Sequence, residues 1–173
     1  MSAATDRPTG RAARWGVLAL LSGALMAHAA IAQWRDGHGI VINTSDSLPH
    51  WAFFVSREPA PARGKIVLFS APRHPLVQRH FGANPPLFTK RVLGAPGDVV
   101  THDGALVRIN GQIVGRMKPK TRQGEPLTPG RTGRIPDGCV YAGTGHPDGF
   151  DSRYAEIGFV CARQVFGVGE AIL

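Results

Sequence analysis

Short apolar runs separated by turn-forming residues follow one another from residue 39 to the end of the chain. The runs are rich in Val, Ile and Phe, and Gly, Pro or Asp bounds them, which is typical of short β-strands. The pattern predicts strands at residues 39–42, 51–56, 65–70, 87–93, 98–101, 106–109, 112–114, 139–142 and 158–162. No long amphipathic helix is predicted among them. The predicted fold class is therefore all-β, a compact barrel-like or multi-sheet body.

Two connections in this region differ in character. Asn110-Gly111 separates two of the predicted strands, and Asn-Gly favours the two positive φ angles of a tight hairpin turn. Residues 118–136 contain four prolines and no regular apolar pattern. We expect a hairpin at the first position and an irregular loop at the second.

The N-terminal region has a different pattern. Residues 15–32 contain no Asp, Glu, Lys or Arg, and three arginines precede them, at positions 7, 11 and 14. This run is just long enough to cross a bilayer as a helix, and its positive flank faces the cytoplasm. We expect a cytoplasmic N-terminus at residues 1–14, a transmembrane anchor at 15–34 and an exported domain at 39–173. A cleavable signal peptide is the alternative, since Ala30-Ile31-Ala32 has the form of a cleavage site.

Composition limits the partners. The chain has 173 residues, enough for one domain with a real core, and a formal net charge of +8. Its Lys and Arg residues are scattered, without the basic helix or aromatic-interleaved patch of a nucleic-acid reader. We therefore expect a charged surface next to a lipid bilayer and no nucleic acid as a partner.

Cys139 and Cys161 are the two cysteines of the chain. An exported domain lies in an oxidising compartment, where the pair can form a disulfide bond. Two small buried hydrophobic side chains are the alternative. The sequence leaves both open.

Ser47 lies in the polar stretch Asn-Thr-Ser-Asp-Ser-Leu-Pro at residues 43–49, between two predicted strands. Such a corner places a side chain where a substrate can reach it. A serine hydroxyl is a weak nucleophile until a neighbouring base takes its proton. The candidate chemistry therefore depends on finding that base.

Lysine is a better candidate base than histidine. The seven histidines lie in the apolar run, in loops or near strand ends, without an obvious acidic partner, which disfavours a Ser-His-Asp triad. Lys90 instead shares one face of a predicted strand with Phe88 and Val92. Burial lowers a lysine pKa and favours the neutral amine, which can accept a proton. A side chain that extends to solvent from a strand edge is the alternative.

Several motifs occur in an order that resembles the type I signal peptidases, which are membrane-anchored serine peptidases with a Ser/Lys dyad. Residues 47–49 read Ser-Leu-Pro, 90–92 Lys-Arg-Val, 94–100 Gly-Ala-Pro-Gly-Asp-Val-Val, 151–154 Asp-Ser-Arg-Tyr and 158–160 Gly-Phe-Val. They stand behind a candidate anchor and cover most of residues 39–173. A proline two positions after the serine and the small domain are most similar to the TraF-type conjugal-transfer peptidases.

The resemblance implies a role for each matching residue. Ser47 is the nucleophile and Lys90 the general base. The main-chain N–H of Ser47 and the hydroxyl of Ser45 form the oxyanion hole, while Asp151 and Arg153 form a supporting ion pair. No cofactor or metal is implied.

One position departs from the family pattern. Many relatives have a serine that hydrogen-bonds the lysine where this chain has Gly149. A water molecule, the hydroxyl of Ser152 or another hydroxyl then has to orient Lys90.

The resemblance also implies a substrate and a location. A conjugation-linked member matures a membrane-tethered pilin-like precursor, and some relatives join the new ends into a ring. It would act from the bacterial inner membrane, as a single-pass protein with its catalytic domain in the periplasm, beside other conjugation or secretion components. Two alternatives remain: a non-catalytic periplasmic β scaffold, and a self-cleaving repressor-type protease. The second needs a DNA-binding N-terminal domain, but residues 1–38 contain an apolar helix pattern instead.

Overall fold

The computed structural model describes residues 10–45, 47–57 and 60–172. Its helices and strands, in chain order, are α1 (Gly10–Gly37), β1 (His38–Ile42), β2 (Ala52–Ser56), β3 (Ile66–Phe69), α2 (Pro75–Phe81), β4 (Phe88–Gly94), β5 (Val99–Asp103), β6 (Leu106–Ile109), β7 (Gln112–Arg116), β8 (Gly133–Arg134), β9 (Cys139–Gly143), β10 (Val160–Cys161) and β11 (Val165–Ala171). The chain divides into two compact units between His38 and Gly39. The prediction of an all-β body with one N-terminal apolar helix is confirmed.

Helix α1 is 28 residues long, and within it Ala12–Gly37 is long and apolar enough to cross a membrane. Its large apolar side chains, such as Leu20, Leu25 and Met26, are exposed. Exposed apolar side chains along a whole helix are stable in lipid rather than in water. The helix is therefore compatible with a single-pass membrane anchor, and a signal sequence near the N-terminus has the same properties.

The second unit contains two sheets. The larger has seven strands in the order β1-β2-β11-β3-β4-β9-β10, and the smaller has four in the order β7-β6-β5-β8. The predicted hairpin joins β6 to β7, with positive φ angles at Asn110 and Gly111. Segment 118–136 is largely irregular, as predicted, apart from the two-residue strand β8.

Buried strand residues form the cores, at alternate positions in β4 and at every position in β3 and β9. One core lies on β3, β4 and β9 and includes Val67, Val92 and Ala142, with Val77 of α2 packed into it. A second core includes Val100 and Val107 of the smaller sheet, together with Tyr141. A third core, around Phe53 and Leu68, also contains Leu48 of the predicted nucleophile corner.

Besides β8, the structure differs from the predicted strand pattern at three further places. The predicted strand at 158–162 is reduced to Val160–Cys161 and followed by a short 3₁₀ helix at Ala162–Gln164. Helix α2 and strand β11 were not predicted. Helix α2 has only seven residues, and β11 contains Gly167 and Gly169, which weaken a strand pattern.

Candidate active site

Asn43 organises the corner that carries Ser47. Its side-chain amide donates hydrogen bonds to the carbonyls of Leu48, at 3.1 Å, and His50, at 2.9 Å. Its main-chain N–H donates to the carbonyl of Trp51 at 2.7 Å, which closes the corner between β1 and β2. Leu48 is buried in the core beside the corner. The backbone of Ser47 is thus held from both sides, by hydrogen bonds and by an apolar anchor.

Ser45 and Ser47 are in direct contact, with 2.9 Å between their hydroxyl oxygens. The hydroxyl and the main-chain N–H of Ser45 both donate to Asn43 Oδ1, at 3.1 Å, so the hydroxyl has to turn away from Asn43 before it can donate to another oxygen. A hydroxyl at this distance from a nucleophile can donate to an oxygen that becomes negative during acyl transfer. The contact supports the role that the resemblance implies for Ser45.

Lys90 lies in the middle of β4, where Phe88, Lys90 and Val92 are all buried on one face. The lysine is 7% exposed, so its side chain does not extend into solvent as the alternative reading required. Burial lowers the pKa of Lys90 below its ordinary value of 10.5, and this effect outweighs the opposing effect of the Asp151 carboxylate. The structure therefore favours the neutral, proton-accepting form of this amine.

Asp151 and Arg153 form a buried ion pair. The guanidinium of Arg153 donates to both carboxylate oxygens of Asp151, at 2.9 and 2.7 Å, and the two side chains are 4% and 0% exposed. The guanidinium also donates to the carbonyls of Thr144 and His146. The two side chains thus neutralise each other's charge, and Arg153 also holds the turn that follows β9. The pair is therefore buried and is not a surface salt bridge.

Thr144 connects this ion pair to Ser47, a role that sequence reasoning missed. Its hydroxyl donates to the carbonyl of Ser47, and its N–H donates to Asp151 at 3.1 Å. The pairing of β4 with β9 reaches Arg91 and Gly143. Thr144 therefore follows the residue opposite Arg91 and lies beside Lys90 in the register. The only sequence signal was its position just after a buried strand.

Gly149 lies where the family pattern has a serine, and its surroundings leave no room for a side chain. A Cβ atom there would lie 2.3 Å from Thr144 Cγ2, 2.4 Å from Arg153 Nη2 and 2.9 Å from Asp151 Oδ2. The hydroxyl of Ser152 accepts a hydrogen bond from the N–H of Ala142 at 3.0 Å. The methyl group of Thr144 therefore occupies part of the space that a side chain at position 149 would need.

Cys139 and Cys161 are joined by a disulfide bond in the structure. They are directly opposite each other in the pairing of β9 with β10. Cys139 lies in the same strand as Tyr141 and Ala142. The disulfide bond links the strand before the 143–153 turn to the strand after it.

A cleft of about 680 Å³ opens beside the nucleophile corner. Ser45 and Ser47 line one part of it, and Phe81 of α2, Lys120 of the irregular loop and Phe150 line others. The volume is within the usual range for a ligand site. A polar corner with a serine, a buried lysine of lowered pKa and an adjoining cleft are typical of serine peptidases.

Comparison with known proteins agrees with that class. The family model described as signal peptidase, peptidase S26, matches residues 12–173. The chain belongs to this family, and the resemblance seen in its motifs is confirmed at that level. It is thus a serine peptidase of the kind that acts on exported precursor proteins.

Other comparisons add less. A crystal structure of a signal peptidase I from Enterococcus faecalis is 27% identical to the chain, with a TM-score of 0.39. The match covers 65% of this chain and 98% of that one. A search of the curated proteins gave no match. The family assignment therefore rests on the family model.

Proposed function

We propose that the protein is a membrane-anchored endopeptidase in which Ser47 is the nucleophile and Lys90 the general base. Burial of Lys90, with its lowered pKa, is the observation that carries the proposal. A neutral amine can take a proton from a hydroxyl, whereas an ammonium group cannot, and a lowered pKa makes the neutral form available at a lower pH than in a free lysine. The tie from Thr144 to the Ser47 carbonyl supports the placement of the serine corner beside β4.

The reaction is an acyl transfer in two stages. The Ser47 oxygen attacks the carbonyl carbon of the scissile peptide while its proton passes to the Lys90 amine. The C–N bond then breaks, and Lys90 returns the proton to the leaving amine. A water molecule attacks the resulting ester and loses a proton to Lys90. The ester C–O bond then breaks, Lys90 returns the proton to the Ser47 oxygen, and the product leaves and ionises to the carboxylate.

The negative oxygen of each tetrahedral intermediate needs donors. We assign these to the main-chain N–H of Ser47 and the hydroxyl of Ser45, which already contacts the Ser47 hydroxyl at 2.9 Å. Removing one such donor typically lowers kcat by about 100- to 1000-fold. We assign a supporting role to Asp151, Ser152 and Arg153. They hold the 143–153 turn in place and do not contact the substrate.

For the location, we propose residues 1–14 in the cytoplasm, 15–34 as a retained anchor and 39–173 as the peptidase domain in the periplasm, at the bacterial inner membrane. The arginines before the apolar run support this orientation. The exposed apolar side chains of α1 support a lipid environment for this helix.

For the substrate, we propose a TraF-type activity on a membrane-tethered, pilin-like precursor of a conjugation system. The proline two positions after Ser47 and the small size of the domain support the subfamily. A peptide amine can also attack the Ser47 ester in place of water. The new C–N bond then replaces the C–O bond to Ser47, and the precursor closes into a ring.

The test uses the detergent-solubilised full chain with candidate pilin precursors and intact-mass analysis. We expect cleavage by the wild type, loss of cleavage in Ser47→Ala and Lys90→Ala, and retention in the matched controls Ser70→Ala and Lys65→Ala. A product lighter by one further water than the linear one identifies a ring. Wild-type processing by either dyad variant would support a non-catalytic scaffold instead.

A further inference from the structure

The cleft beside Ser47 has a wall that the proposed chemistry does not use. This wall is formed by the irregular loop, which contributes Lys118, Lys120 and Arg122, and by Asp148 of the turn after β9. Three cations thus face a single carboxylate among these charged lining residues. A peptide lying against Ser47 in this cleft lies along the same wall.

The charges of this wall are unevenly satisfied. Lys118 and Arg122 both bind the carboxylate of Asp148, and together they lower its pKa to about 2. Lys120, in contrast, forms no ion pair with any residue in the described parts of the chain. The positive charge of Lys120 is therefore available to a ligand.

The carboxylate of the irregular loop itself does not neutralise Lys120. Glu125 belongs to the same loop, but it binds Arg79 at 2.5 Å and also contacts His80, both of α2. These contacts hold the loop against α2. The loop is thus held by ion pairs to α2 through Glu125 and to Asp148 through Lys118 and Arg122, while Lys120 remains exposed.

The opposite part of the cleft is apolar. Phe81, Phe150 and Tyr154 form a row of rings, with centroids 6.2 and 6.0 Å apart. An extended peptide fits such a cleft when it places an apolar side chain on the rings and an acidic one towards the lysine.

We infer that this cleft binds an acidic segment of the precursor next to the scissile bond, with a substrate carboxylate paired to Lys120. The inference rests on the proposed function, since it places the substrate of Ser47. Continuity of the cleft with the nucleophile and its excess positive charge argue for this occupant. An exposed ion pair of this kind contributes about 0.2 to 1 kcal/mol, up to about fivefold in an equilibrium constant.

The experiment compares alanine-rich peptides that differ only in having Glu, Gln or Lys at one position, scanned on both sides of the cleaved bond. The full chain in detergent is assayed for kcat/KM at low salt. We expect the wild type to prefer Glu over Gln by about three- to fivefold at one or two positions. Lys120→Gln should bring the ratio of kcat/KM for the Glu and Gln peptides close to one. Lys120→Glu should make the Lys peptide a better substrate than the Glu peptide. Lys65→Gln, the same change outside the cleft, should keep the wild-type ratio.

A second readout separates this inference from the proposed function. Equilibrium binding of the same labelled peptides to Ser47→Ala reports the Glu preference without cleavage. A Glu preference in binding that depends on Lys120, without any cleavage of the peptides by the wild type, would keep the acidic-peptide site and overturn the proposed role of Ser47 as the nucleophile beside it. Equal rates and equal binding for Glu and Gln peptides at every position would overturn the inference, and Lys120-dependent binding to anionic lipid vesicles would then assign the cleft to phospholipid headgroups.

Discussion

Lys90 is a titratable residue inside an apolar face of β4, and its environment determines how the enzyme should respond to pH. Burial lowers its pKa, so the ammonium form persists at low pH and the neutral amine appears below pH 10.5. We expect kcat/KM to rise with pH and to level off once this lowered pKa is passed. A pH profile of cleavage tests this, and a flat profile between about pH 5 and 9 would contradict it.

Stability gives an independent readout of the same residue. The folded state releases the Lys90 proton at a lower pH than the unfolded chain does, so stability should rise with pH from the lowered pKa towards about 10.4. Lys90→Met keeps a long apolar side chain and removes the charge. Its chemical unfolding should lack this part of the pH dependence.

Thr144 leads to a second prediction at this scale. Thr144→Val keeps the shape but removes the hydroxyl that donates to the Ser47 carbonyl and accepts from the N–H of His146. We expect kcat to fall by about tenfold to a hundredfold with a smaller change in KM, because the nucleophile loses its fixed position. Thr144→Ser keeps the hydroxyl and should recover most of the rate. A Val variant within twofold of the wild type would show that the hydrogen bond is dispensable.

The role of a single residue could be predicted where the local sequence pattern made that residue unusual. Lys90 was recognised because a lysine that alternates with Phe and Val on a strand is unusual. Thr144 was not, because its hydrogen bond reaches Ser47, 97 residues earlier in the chain. No local pattern encodes such a contact.

Among the elements, the turn after β9 leads to a third prediction. Gly149 and Gly145 lie in this turn, but a Cβ atom would clash at 149 and meet nothing within 4 Å at 145. Gly149→Ala, and equally Gly149→Ser, should lower the free energy of unfolding by about 1 to 3 kcal/mol, because nearby groups must move. Gly145→Ala is the matched control and should change it by less than about 0.5 kcal/mol.

Thermal unfolding and cleavage rates of the three glycine variants test this. Equal stability of the variants at the two positions would mean that the turn adapts easily. A faster Gly149→Ser enzyme would mean that a serine at 149 can still orient the lysine.

The element predictions succeeded where local chemistry determines structure. Asn110-Gly111 fixed a hairpin, because few other dipeptides adopt two positive φ angles. Strand β11 was missed because its glycines are required by packing against another strand, which the local sequence does not reveal. A Cβ atom at Gly167 would lie 2.7 Å from Val55 Cγ1, so close packing against β2 requires glycine where strand propensity disfavours it.

At the scale of the whole molecule, β11 lies between the two parts of the candidate active site. It pairs with β2, which follows the Ser47 corner, and with β3, which pairs with the Lys90 strand β4. Val168→Asp would place a carboxylate in a buried position, at a cost of several kcal/mol, whereas Ala171→Asp on the same strand is exposed. We expect the first variant to lose cleavage and to unfold at lower temperature, and the second to resemble the wild type. Equal activity of the two would show that β11 is not needed to hold the site together.

The position of β11 also sets the order of events during protein synthesis. It is the last strand in the chain order, yet it fills the middle of the larger sheet. The strand that follows the Ser47 corner and the strand next to that of Lys90 can therefore be joined in one sheet only after residues 165–171 have been synthesised.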